Sequence, residues 1–148
     1  MTATQQETSI VIKRVFASPV EKVFKAWIDP AQMAKWYSSN ARWYMPISEV
    51  NPVVGGVYRN TMRHSDGDEI TLDGRILEIE ENKRLKFTWV PSEGPGAGSE
   101  TVVTLDFKSI DGGTEFTLTH DRLPTQEFSE GAQSGWKGCL EMLEAFLN

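Results

Sequence analysis

Cysteine, histidine and basic residues are all scarce in this chain. It has one cysteine (Cys139), two histidines (His64 and His120), and 15 lysines and arginines against 21 aspartates and glutamates. A lone cysteine cannot close an internal disulfide, so a reducing cytoplasm is the default compartment. Two distant histidines and one cysteine, without C-x-x-C or H-x-x-x-H spacing, fall short of a zinc set. Asp66, Asp68 and Glu69 lack the loop length and glycine spacing of an EF-hand. No metal and no cofactor is therefore expected. A net charge of -6 argues against nucleic acid and against an anionic membrane surface. No apolar run approaches the roughly 18 residues of a membrane span. The opening MTATQQETS carries no basic segment followed by an apolar one, so no secretory leader is read. There is no G-x-S-x-G elbow, and "GPGAG" has no following Lys-Ser/Thr, so neither a serine hydrolase nor a P-loop is indicated.

The 148 residues fit a single domain, 1–148, with residues 1–8 expected to be disordered. "SIVIKRVF" (9–16) is rich in β-branched residues and reads as a strand. Ser18, Pro19 and Glu21 have the spacing of a capping box, followed by Val20, Val23, Phe24, Trp27 and Ile28 at helical intervals. Asp29-Pro30 breaks that helix, and "PAQMAKWY" reads as a second short one. Turn signals then separate strand-like runs at 43–50, 56–64, 69–80, 84–91, 100–109 and 114–121. Leu85, Phe87 and Trp89 alternate with polar neighbours, as do Val103, Leu105 and Phe107, and Phe116, Leu118 and His120. That pattern belongs to an antiparallel meander with one covered face and one wet face.

The last segment has Thr125 at the N-cap position. Phe128, Ala132, Trp136, Cys139, Leu140, Leu143, Phe146 and Leu147 follow as one helical stripe. Gly131, Gly135 and Gly138 run along one edge of this stripe. Each costs a helix about 1 kcal/mol relative to alanine. Such an edge allows close approach of the helix backbone to a strand, or to a ligand.

The order β, α, α, six strands, long helix is carried by five stretches: "ASPVEKVFKAWIDPAQMAKWY", "NPVVGGVYR", "GRILEIEENKRLKFTW", "LTHDRLP" and "GWKGCLEMLEAFL". Over about residues 9–148 the chain resembles the START-like superfamily, also described as SRPBCC or Bet v-like. Within it the chain is similar to the activator-of-heat-shock-protein-90-ATPase homologue family. The resemblance implies an α+β helix-grip fold. A curved antiparallel sheet of six to seven strands would wrap a long C-terminal helix, with two short helices after the first strand and a cavity between sheet and helix. Family roles implied are small-ligand binding, aromatic polyketide handling and co-chaperone activity. The N-terminal module of the eukaryotic co-chaperones is not seen in this sequence, which weighs against the last.

Five tryptophans in one small domain point to an aromatic-lined pocket. Trp27, on an amphipathic helix, reads as core. Trp89, Trp136 and Tyr58 read as pocket lining, with Phe87, Met62 and Leu140 on the same inward faces. Trp36 and Trp43 flank a loop placed to cap the cavity mouth, and "SEGPGAGSE" is a flexible hairpin loop that could act as a lid. Alternation sends Arg59 and Arg63 to solvent and leaves Asn60 as the inward polar group. His120 closes an inward row and is the candidate general acid or base, although a structural hydrogen bond explains it as well. His64, before "SDGD", reads as solvated, Cys139 as a buried inert thiol, and Glu78 as ambiguous in facing. The leading functional expectation is non-catalytic binding of a small hydrophobic or aromatic molecule. The alternatives are a cofactor-free cyclase or hydrolase using His120, Asn60 and Tyr58, and a protein-interaction module contacting a heat-shock ATPase. The open sheet face could also pair two copies as a homodimer.

Overall fold

The alternating runs pair into one antiparallel sheet because each has an apolar side that must leave water and a polar side that need not. The computed structural model describes residues 8–37, 42–94 and 96–148. In chain order the elements are β1 (Thr8–Phe16), α1 (Val20–Ile28), α2 (Pro30–Trp36), β2 (Trp43–Val50), β3 (Tyr58–His64), β4 (Glu69–Asp73), β5 (Ile76–Glu80), β6 (Arg84–Pro91), β7 (Thr101–Ile110), β8 (Gly113–Leu123) and α3 (Gln126–Leu147). The strand order is β1-β8-β7-β6-β4-β3-β2, with β5 also on β6. This curled sheet holds α3 against its inner face, with α1 and α2 bridging the two edge strands: the expected α+β helix-grip architecture.

The expected strand 69–80 is divided. β4 pairs with β6 at Leu72–Pro91 and Asp73–Val90, and β5 pairs with the earlier part of the same strand, from Ile76–Phe87 to Glu80–Arg84. Gly74 lies at the break. A methyl group there would run into the Thr88 carbonyl oxygen, so only glycine lets the two backbones approach this closely. A register shift between Ile76 and Glu78 then leaves Leu77 and Glu78 both exposed. That settles the facing of Glu78. It points outward, 3.6 Å from Arg84 and 3.5 Å from Lys86.

Two local expectations are corrected at the start of the chain. Thr8 opens β1 opposite Leu123, so the expected disorder of residues 1–8 otherwise concerns residues 1–7, outside the described set. Pro19, not Ser18, occupies the N-cap of α1, with an extended ψ of 152° and no side-chain cap. Ser18 is instead buried, and its carbonyl accepts from Thr114 Oγ1 at 2.8 Å, which ties the start of the helix to β8. Thr125 caps α3 as expected, and Asp29, read from the sequence only as part of a helix break, also caps α2. Asp29 accepts from Ala31 N at 3.0 Å, and Thr125 Oγ1 accepts from Phe128 N at 3.0 Å.

The core lies between the inner sheet face and the helices. Phe87, Leu105, Phe116 and Leu118 from the sheet meet Trp27 of α1 and Leu140 and Leu143 of α3, all fully buried. Trp27 stacks on Phe116 at 5.6 Å and meets Trp36 edge-on at 4.7 Å. The outer face carries ion pairs, including Arg59 with Asp73 and Arg63 with Glu69, as alternation requires.

The Gly74 contact makes a stability prediction. Gly74→Ala should lower unfolding free energy by about 1–3 kcal/mol through overpacking, read as an earlier urea midpoint. An unchanged midpoint would show that the β4–β5 bend tolerates a side chain.

Candidate functional site

The two halves of α3 sit differently on the sheet. In the C-terminal half Leu140, Leu143 and Leu147 are buried. There Lys22 Nζ donates to the Leu147 carbonyl at 2.8 Å, and Arg14 lies 3.7 Å from Glu144. The N-terminal half stands away from β2, β3 and β4, while Phe128 and Trp136 each meet Trp89 of β6 with ring centroids 6.0 Å apart, and together they bound an open-mouthed cavity of about 290 Å³. Trp43, Met62, Leu72 and Trp89 form the sheet wall, and Phe128, Gly131, Gly135 and Trp136 form the helix wall. A methyl group placed on Gly131 or on Gly135 would meet nothing within 4 Å. At these two positions the glycines do not admit a strand: half-buried Gly135 leaves room in the cavity, and exposed Gly131 lies where the cavity opens to solvent. Gly96 behaves oppositely: a methyl there would collide with the Phe128 ring, so the backbone at Gly96 rests on the helix at the cavity's lip.

A chain of hydrogen bonds behind the cavity holds the two tryptophan walls. Trp136 Nε1 donates to His120 Nδ1 at 3.0 Å, and His120 Nε2 lies 2.8 Å from Thr101 Oγ1. Thr101 Oγ1 in turn donates to the Trp89 carbonyl at 2.7 Å. Because Trp136 can only donate, Nδ1 must be the bare nitrogen and Nε2 carries the proton. His120 is inaccessible to solvent, and burial lowers its pKa from 6.5 to about 3. It is a neutral, doubly engaged histidine at neutral pH. It lies behind the wall, not in it.

The family profile described as activator of Hsp90 ATPase homolog 1-like protein matches residues 17–148. The chain belongs to this family. Solved structures of similar proteins include one from Chromobacterium violaceum, at 24% identity and TM-score 0.85, covering 94% of this chain and 96% of that one. An AHSA1-like protein from Aeromonas hydrophila is 28% identical with TM-score 0.79, covering 94% and 91%. An AHSA1 protein from Silicibacter pomeroyi is 21% identical with TM-score 0.82, covering 93% and 96%. No curated protein matches the chain.

Within this family fold the candidate residues separate into two groups. Trp43, Met62, Trp89 and Trp136 line the cavity. Trp36, Tyr58, Asn60, Phe87, His120 and Leu140 do not, because the inward space opposite them is already filled. Trp36 Nε1 donates to the Ala26 carbonyl at 3.0 Å, and Tyr58 donates its hydroxyl to the Trp27 carbonyl at 2.6 Å. Phe87 stacks on Tyr58 at 4.2 Å. Asn60 Oδ1 accepts from Ser48 Oγ at 2.7 Å, and Leu140 packs in the core. His64 is not free in solvent: its ring packs edge-on against Trp43 at 4.9 Å. The loop between Trp36 and Trp43 that was expected to cap the mouth falls mostly on residues 38–41, outside the described set.

Sequence reasoning missed Tyr37, Ile70, Leu72 and the two helix glycines as lining, along with Phe128. Phe128 and the glycines were already on the stripe or its edge. Their relation to empty space was the hidden part. Among the described residues, no three His, Cys, Asp or Glu side chains group as metal ligands, and no helix is long and apolar enough to cross a membrane.

The buried His120 makes stability depend on pH with a definite sign. Its folded pKa lies below its unfolded value, so the unfolded chain binds the extra proton. The stabilisation is present above about pH 6.5 and is lost on acidification. Between pH 6.5 and 5 the chain should lose about 1.6 kcal/mol from this group, with the slope approaching about 1.4 kcal/mol per pH unit at the acid end. His120→Gln should start less stable and flatten that slope in chemical denaturation series. An unchanged slope would contradict a neutral buried histidine.

Proposed function

We propose that the chain binds a small hydrophobic, predominantly aromatic molecule in the cavity between the N-terminal half of α3 and the β2–β3–β4–β6 part of the sheet, without transforming it. The observation that carries this reading is the open space at the two wall glycines, at half-buried Gly135 above all, since Gly131 is exposed. Alanine at either position would favour the helix by about 0.5–1 kcal/mol and meet no obstacle. The sequence instead keeps the residues that leave the volume empty. That volume, about 290 Å³, lies near the lower end of small-molecule sites, roughly 300–1,000 Å³. It suits a molecule of two fused rings with a short substituent. Trp43, Trp89, Phe128 and Trp136 offer flat apolar surface on several sides, and the family fold supports a ligand-binding domain.

Catalysis is not the favoured reading because the candidate proton carrier, His120, has both ring nitrogens engaged and lies behind Trp89, Phe128 and Trp136, which line the cavity. A dry apolar wall with a few polar groups holds a molecule by shape and stacking. No observation on the outer surface specifically favours docking to a heat-shock ATPase or to a second copy.

Titration with 2-isopropylnaphthalene should quench tryptophan emission saturably, at one site per chain. Gly135→Ala should raise the urea midpoint, consistent with about 0.5–1 kcal/mol, and bind the probe more weakly because the new methyl occupies its space. Linear, non-saturating quenching would sink the binding reading. So would a Gly135→Ala variant that binds as tightly as the parent.

A further inference from the structure

The polar groups around the cavity are nearly all committed to partners within the protein. The Trp136 indole N–H goes to His120, the Tyr58 hydroxyl to the Trp27 carbonyl, and the Thr101 hydroxyl to the Trp89 carbonyl. The Trp27 indole N–H is buried without a partner, but Trp27 is not part of the cavity wall. Among the described residues, Tyr37 carries the one hydroxyl on the wall itself. It follows α2, is 3% exposed, and lines the cavity. Its hydroxyl oxygen receives a long contact from Trp89 Nε1 at 3.5 Å, and its own proton has no acceptor among the described residues. Burial raises its pKa well above the usual phenol value, so it remains a donor across the physiological range.

A buried hydroxyl donor without an acceptor is costly in an apolar setting and is commonly satisfied by water or ligand. The rest of the wall narrows the ligand further. Among the described residues it has no lysine, arginine or histidine, and its charged members are Glu93 and Glu127, both exposed. Among the described residues neither has an ion-pair partner within 4.0 Å. The chain as a whole carries -6. A carboxylate on the ligand would find no counter-charge in the wall and two like charges among its members.

We infer that the ligand is an uncharged aromatic molecule bearing a hydrogen-bond acceptor oxygen, a ketone or ether, that accepts from the Tyr37 hydroxyl, and that aromatic carboxylates are disfavoured. This rests on the binding reading above and adds the ligand's class and its polar anchor. Tyr37 is a specificity residue in this arrangement: it discriminates among ligands of the same shape.

The test uses three probes of one shape on the full chain: 2-acetonaphthone, its hydrocarbon counterpart 2-isopropylnaphthalene, and 2-naphthoate. Tyr37→Phe should weaken 2-acetonaphthone by about 3–10-fold, the worth of one neutral hydrogen bond, and leave 2-isopropylnaphthalene within about twofold. The difference between the two ligands separates hydrogen bonding from any general disturbance of the wall. The parent should bind 2-naphthoate more weakly than the ketone, and Glu93→Gln/Glu127→Gln, at exposed positions, should recover part of that loss. Equal effects of Tyr37→Phe on ketone and hydrocarbon would overturn the inference while leaving the cavity reading intact. So would naphthoate binding as tightly as the ketone. Failure of the parent to bind any of the three would overturn both.

Discussion

One hydrogen bond, from the Trp136 indole to the Nδ1 atom of His120, sets how the last helix lies on the sheet. It is buried at both ends, so neither partner can turn to water instead. Because an indole only donates, it also fixes the imidazole tautomer, and through Thr101 the same tautomer reaches the Trp89 backbone. Four residues on α3, β8, β7 and β6 thus form one chain. Losing any link leaves a buried polar group unpaired, at roughly 1–3 kcal/mol. That penalty holds the middle of α3 in place while the two halves of the helix do different work. Beyond it, leucines pack the C-terminal turns down. Before it, glycines leave the N-terminal turns standing off.

The same chain explains why a void can persist in a small domain. An apolar cavity normally invites collapse, since its lining atoms forgo dispersion contacts. Here Trp89 and Trp136, whose ring centroids are 6.0 Å apart, form one aromatic surface anchored from behind. Trp89 is part of β6 and its carbonyl is engaged with Thr101, and Trp136 is held by His120. On the lip, Gly96 lies so close to Phe128 that the ring has little room to swing towards the loop. The aromatic surfaces are therefore pre-placed, which reduces the ordering cost a guest would otherwise meet on binding.

Much of the fold was legible because local signals agreed with one another. The strand alternation, the helix break at Asp29, the Thr125 cap and the apolar stripe of α3 all appear where their physical causes require. What was not legible depended on contacts distant in sequence. Nothing local to 69–80 says that Gly74 must pass against Thr88. Nothing local to Ser18 says that its carbonyl will be claimed by Thr114, leaving Pro19 as the N-cap. The site shows the same limit. Alternation places Phe87 and Trp89 on one inward face, but Phe87 is covered by Tyr58, whereas Trp89, though it meets Phe128 and Trp136, keeps part of its surface on the cavity. A period of two gives direction only; whether a side chain meets a wall or a void is decided by the helix crossing above it.

His120 shows how a chemically suggestive residue can serve a structural end. Histidine is the side chain most ready to move protons near neutral pH, but that readiness depends on access to water or substrate and on a free nitrogen. Burial and two hydrogen bonds remove both conditions and convert the ring into a rigid, neutral link of fixed polarity. The consequence reaches the cavity indirectly. By drawing the Trp136 N–H away from the cavity, His120 leaves the apolar indole face as what a guest meets. Recognition then falls to shape, stacking and whatever single donor remains on the wall. A site so arranged selects by size and flatness first and by one polar contact second, and it discriminates weakly between hydrocarbons that differ by a methyl group, where apolar contact gives only about 1–3 kcal/mol.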